Sequence, residues 1–124
     1  MGNLGRDVLT GAAGSDTFRF DNAAQSGNTA ATRDVIRDFT HLTDKIALSY
    51  IDAKSNVSSD QAFSFIGSSV FSGVSGQLHY RIENPTGTAN DKTIVEGDVN
   101  GDRTADFQIE LTGLKILTSQ DFLL

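Results

Sequence analysis

Apolar and polar residues alternate along several stretches of this chain. In QLHYRIE, residues 77–83, Leu78, Tyr80 and Ile82 share one side, while Gln77, His79, Arg81 and Glu83 share the other. A period of two is that of a β-strand with one buried face and one wet face. FQIELT, residues 107–112, repeats the pattern with Phe107, Ile109 and Leu111 against Gln108, Glu110 and Thr112. Shorter versions run through DKIALSYI, where Ile46, Leu48 and Tyr50 mark one side, and through AFSFIG, where Phe63 and Phe65 do. One-sided burial of this kind predicts antiparallel pairing. No segment carries a sustained helical period. TSQDFLL predicts either a short helical turn capped by Thr118 or Ser119, or a final strand. On this pattern Tyr80 and the phenylalanines belong to the core, and His79 to solvent.

Residues 2–20 follow a different rule. GNLGRDVLT and GAAGSDTFR superimpose with matches at Gly2/Gly11, Gly5/Gly14 and Asp7/Asp16, and with an apolar residue at Leu9/Phe18. The interval is that of the nonapeptide G-G-x-G-x-D-x-U-x, in which a six-residue turn leads into a three-residue strand of a parallel β-roll. Glycine lets such a turn adopt positive φ, so that backbone carbonyls converge. Carbonyls and the Asp carboxylate together form an oxygen cage suited to Ca²⁺. The second template position holds Asn3 or Ala12 in place of glycine. The plainer alternative is two unrelated Gly/Asp turns.

Composition narrows the function classes. The 124 residues suit one compact unit, and the formal charge of -6 removes the basic footprint that nucleic acid or anionic lipid needs. Cationic partners suit the chain better. There is no cysteine, so disulfides and thiolate zinc sites are excluded. No stretch has the apolar length of a membrane helix, and none near Met1 has the basic-then-apolar form of a signal peptide. Because Met1 runs straight into the first repeat unit, the chain is expected to be the C-terminal piece of something longer.

The order GAAGSDTFRF, RDVIRDFTHLTDKIALS, FSFIG, FSGVSGQLHYR, EGDVNGDRTADFQIELTG and SQDFLL resembles the end of an RTX calcium-binding β-roll and the C-terminal domain of serralysin-type metalloproteases and related type I-secreted proteins. The resemblance covers nearly the whole chain. It implies an all-β fold: the last coil of a parallel β-roll over 1–20, then an antiparallel β-sandwich-like cap over 21–124, the whole forming one compact unit. In such rolls a calcium site lies between unit n and unit n+2. Gly2, Leu4, Gly5 and Asp7, and Gly11, Ala13, Gly14 and Asp16, are therefore implied as calcium half-sites. Asp34, Asp38 and Asp44 are the candidates to complete the second. The terminal Asp121, Phe122, Leu123 and Leu124 are implied as an uncleaved secretion signal read by a type I exporter. Implied partners are upstream RTX repeats and that exporter, and the implied location is extracellular. Two departures stand out: Ala47 replaces the acidic residue of DKIDLS, and Arg103 replaces a glycine of NGDG.

Catalysis finds no support in the residues. The zinc signature H-E-x-x-H is absent, the only histidines are His41 and His79, and no nucleophile–base constellation can be assembled. The segment DVNGDRTAD spaces oxygen-bearing side chains at Asp98, Asn100, Asp102, Thr104 and Asp106, as a calcium loop does, yet Arg103 and Ile109 stand where an EF-hand has Gly and Glu. The alternative there is a β-hairpin turning on Asn100-Gly101. A rival function is calcium-dependent polysaccharide binding of the kind found in alginate-epimerase R-modules, for which His79, Arg81 and Lys92 are the nearest polar candidates.

Overall fold

The computed structural model describes residues 8–11, 13–20, 27, 33–40, 42–49, 51, 63–83, 91–113 and 115–124. Nine strands are described: β1 (Val8–Leu9), β2 (Thr17–Arg19), β3 (Asp34–Ile36), β4 (Lys45–Ala47), β5 (Ser64–Phe65), β6 (Gln77–Glu83), β7 (Lys92–Asp98), β8 (Phe107–Thr112) and β9 (Phe122–Leu123). They form a six-stranded sheet, β1-β3-β8-β7-β6-β5, and a three-stranded sheet, β2-β4-β9. The fold is all-β. None of the described helices is long and apolar enough to cross a membrane.

The chain alternates between the sheets. β1 and β3 lie in the large sheet, β2 and β4 in the small one, and β1 pairs with β3, and β2 with β4, in parallel. This is roll geometry, and it continues beyond the nonapeptide repeats. β3 pairs in parallel with β8, and β4 with β9. Among the described residues the roll thus has three coils, β1/β2, β3/β4 and β8/β9. Among the described residues the antiparallel part is confined to β6-β7-β8, with β5 added in parallel on β6. The period-two signal could not separate the two modes for β8, because this strand meets an antiparallel neighbour on one side and a parallel one on the other.

The core lies between the sheets. Phe18, Phe20, Ile36, Ile46, Leu48, Leu78, Val95, Phe107, Ile109, Leu111 and Phe122 belong to one buried cluster, so the repeat segment and the later strands share it. Burying a side chain of this size contributes about 1.5–3 kcal/mol relative to exposure. Phe107 fits because its cross-strand partner is Gly97: a Cβ there would fall 2.4 Å from the ring. Phe63 packs edge-on against the same ring at 5.7 Å, and Phe65 meets Phe122 at 5.1 Å, tying β5 to the terminal strand.

At the C-terminus both sequence alternatives hold in succession. Thr118 caps a 3₁₀ turn over Ser119–Asp121, with Thr118 accepting from Gln120 N and Asp121 accepting from Thr118 N, a reciprocal capping box. β9 follows at once.

Candidate functional site

The first roll turn runs from Thr10 to Asp16 and joins β1 to β2. It lies on the next turn, between β3 and β4, through paired bonds. Arg37 N donates to Leu9 O at 3.0 Å, and Lys45 N donates to Asp16 O at 2.8 Å. Gly11 N donates to Asp38 Oδ1, and Asp16 N to Asp44 Oδ1, both at 2.9 Å. Gly14 has φ of 95°, the positive-φ turn conformation expected of a repeat glycine. Gly11 is required for a different reason: a Cβ at that position would stand 2.5 Å from Asp16 Oδ2.

That oxygen is the notable atom of the turn. Asp16 Oδ2 is buried and accepts no hydrogen bond among the described residues. Asp16 also lines a cavity of ≈ 320 Å³, with Leu9, Thr10, Gly11, Thr17 and Phe18. A buried carboxylate oxygen without a donor is costly unless a cation or another donor meets it. A carboxylate oxygen in need of a partner is a hard donor of the kind Ca²⁺ takes.

The structure brings some of the expected residues together and separates others. Gly11, Gly14 and Asp16 share the turn, with Ala13 exposed on it, and Asp38 and Asp44 reach it from the second coil. Asp34 does not join them. It is buried at the start of β3, in register with Ile109, at the opposite end of that strand from the stacked turns. Gly2, Leu4, Gly5 and Asp7 lie outside the described residues, as does His41. Asp121 and Phe122 are buried in the small sheet and its turn, Leu123 faces outward, and Leu123 O accepts from Leu48 N.

A second acidic site lies at the β7–β8 connection. The strands form a hairpin, as the sequence allowed, but the link is eight residues long and closes by Asp106 N donating to Gly97 O, not by a two-residue turn at Asn100-Gly101. Ligand oxygens of Asp98, Asp102 and Asp106 lie within 4.8 Å of one another. Asp98 organises the loop: Oδ1 accepts from Gly101 N at 2.8 Å and Oδ2 from Arg103 N at 3.0 Å. Arg103 has φ of 67°, which explains why glycine suits that position. Here the arginine is held by its N–H on Asp98 and by its guanidinium, which donates to Ser72 O at 3.2 Å. Partial burial, reinforced by the charges of Asp102 and Asp98 and opposed by the bond from Val99 N, raises the Asp106 carboxyl above its ordinary value. A cation would relieve that repulsion. Alternation of oxygen-bearing residues through 98, 100 and 102 was the sequence signal for this loop.

The outer face of the large sheet corrects the expectation for His79. The ring is buried, because residues 69–71 lie over it: Phe71 stacks on it at 4.0 Å, Nδ1 is 2.7 Å from Ser69 O, and Nε2 is 2.7 Å from Glu96 Oε1. Gln108 donates to the other Glu96 oxygen at 2.6 Å. Arg33, also buried, donates to Glu110, Gln108 and Glu83, and Arg81 to Glu83 at 2.6 Å. Burial works to raise Glu96, but His79, the charge of Arg81 and the Gln108 bond outweigh it, and its carboxyl titrates below the usual range. The bond from Arg81 lowers Glu83 as well, against its partial burial. Each of these two arginines is thus matched by carboxylates.

Three coils stacked on aspartate-bearing turns define the class: an RTX-type parallel β-roll. The chain belongs to the family described as Peptidase M10 serralysin C terminal, whose model matches residues 1–124. No curated protein matches the sequence significantly. The fold is similar to the solution structure of the AlgE6R2 subunit from the Azotobacter vinelandii mannuronan C5-epimerase, at 24% identity and TM-score 0.58 over 98% of this chain and 66% of that one. It is also similar to the AlgE6R3 subunit of the same enzyme, at 21% identity and TM-score 0.55 over 96% of this chain and 58% of that one. The chain therefore spans less than two thirds of either subunit.

Proposed function

We propose that this chain is a non-catalytic terminal module of a longer secreted protein, which caps a calcium-binding β-roll and folds when calcium is met outside the cell. The observation that carries this reading is the placement of β1 and β2. They lie in different sheets, and each stacks in parallel on the next coil, as a roll arriving from upstream repeats would. Asp16 and the loop of Asp98, Asp102 and Asp106 are the places where its own residues would hold Ca²⁺, at the weak affinities of extracellular modules, about 10⁻⁴–10⁻³ M. Without the ion the carboxylates repel. With it the folded state alone is bound, and mass action stabilises that state.

The terminal Asp121-Phe122-Leu123-Leu124 is proposed to double as the type I secretion signal. Asp121 is buried in the 3₁₀ turn and Phe122 and Leu123 pair in the small sheet, so an exporter would read the segment before folding. Two measurements test the module. Millimolar calcium is expected to raise the melting temperature, and Asp16→Ala to shrink that rise. A passenger fused upstream is expected to lose export when Gln120 to Leu124 are deleted, and full export of the deleted form would sink the signal.

A second reading, polysaccharide binding, draws on the likeness to the epimerase subunits. The face that carries Arg33, His79, Arg81 and Lys92 supports it weakly, because Glu83, Glu96 and Glu110 neutralise its arginines. An oligosaccharide titration giving saturable shifts on β6 and β7 would favour it.

A further inference from the structure

Three aspartates occupy equivalent places in the three coils: Asp16 immediately before β2, Asp44 before β4 and Asp121 before β9. Two of them make the same pair of bonds. Asp44 accepts Thr40 N of its own turn on Oδ2, and Asp16 N of the preceding coil on Oδ1, both at 2.9 Å. Asp121 accepts Thr118 N of its own turn on Oδ2 at 2.9 Å, and Leu42 N of the preceding coil on Oδ1 at 2.8 Å. Both aspartates are buried, at 1% and 0% exposure. Asp16 differs, since its buried Oδ2 has no such donor among the described residues.

We infer that Asp44 and Asp121 are metal-free clamps, each joining its coil to the one before by amide hydrogen bonds in place of a bound cation. The inference rests on reading the module as calcium-linked, and it divides the roll: the second and third coils close without calcium, and the requirement for the ion begins at Asp16. The chemistry supports the division. Two N–H groups aimed at one buried carboxylate supply the partners its oxygens lose on leaving water. Each of the four oxygens thus has its partner without an ion. Leu42 adds an independent mark. It is a half-exposed leucine at φ of 66°, an uncommon conformation for a side chain of that size, and its N–H is the one that Asp121 takes. A backbone held in that conformation requires an outside bond to keep it there.

The test is thermal unfolding of the chain in excess chelator and in millimolar calcium. Asn keeps one acceptor but turns an NH₂ group toward the second amide. Asp44→Asn and Asp121→Asn are each expected to lower the melting temperature by roughly 5–10 °C, equally with and without calcium, so that the calcium-induced rise survives. Asp16→Asn is expected to do the opposite, melting as the parent does in chelator and showing a smaller rise. If Asp44→Asn melts with the parent in chelator and loses only the calcium response, Asp44 is a ligand and the inference is overturned. Should a variant not fold, amide hydrogen exchange of the parent in chelator decides the matter. Slow exchange at Asp16, Thr40, Leu42 and Thr118 supports the clamps, whereas exchange at the unstructured rate until calcium is added overturns them. Slow exchange at those amides in a parent that shows no calcium rise would support the clamps while ending the calcium reading of the module.

Discussion

The first and third coils of the roll have the same plan and reach it by different chemistry. In the first, a glycine-bearing turn leaves Asp16 Oδ2 buried and without a donor among the described residues. In the third, no nonapeptide is present, and Thr118 and Asp121 close the turn on each other and on Leu42. Parallel stacking of short strands therefore does not depend on the glycine repeat. What the repeat adds is an unfilled oxygen position. A roll whose turns are satisfied by their own amides is a permanent structure, and one whose turns keep an oxygen open can be made conditional on an ion.

The comparison breaks most severely at Phe122. Its ring is buried in the cluster that also holds Phe18 and Phe20, so Phe122→Ala is expected to cost about 3–5 kcal/mol. Urea unfolding should show one cooperative transition for the whole chain. A biphasic curve, with the first coil melting separately, would mean that the coils do not share a core. A smaller effect comes from Gly11→Ala, which sets a methyl 2.5 Å from Asp16 Oδ2. The expected cost in chelator is about 1–2 kcal/mol. The calcium-induced gain should fall with it, and an unchanged gain would place the ion elsewhere.

The smallest effect concerns Asp106. Its folded-state value is raised, so the favourable contribution is present at low pH and is lost as pH rises through that value; at neutral pH its ionisation opposes folding. In chelator at neutral pH, Asp106→Asn is therefore expected to melt slightly higher than the parent, by a few degrees at most given the exposure of the site, with the difference vanishing in acid. A lower melting temperature at neutral pH would show that the Val99 bond outweighs the repulsion.

Legibility in the sequence tracked local regularity. Strands β6 and β8 alternate cleanly because one face packs on the core, and the nine-residue spacing marked Asp16 without any structure. β7 has no such signal: Thr93 to Asp98 are all buried, Ile94 and Glu96 on one face and Val95 on the other, so apolar and polar residues fail to alternate. β3 is three residues long and its Asp34 is itself buried, so neither length nor polarity announced it. His79 was assigned to solvent by its position in β6, because nothing in that strand could reveal that Phe71 and Ser69 cover it. Asp44 and Asp121 were legible as carboxylates, but not as clamps, since their partners are amides whose positions exist only once the coils are stacked.

The bond from Leu42 to Asp121 joins residues 79 apart in sequence, and β3 and β4 likewise await β8 and β9 for their second neighbours. The middle of the roll is thus flanked on one side by strands that a ribosome makes much later. Segments 33–48 emerge with half of their backbone partners not yet synthesised, and loop closure over such a span is slow. The order of synthesis alone delays folding until the end of the module has been translated, before calcium has any part in it.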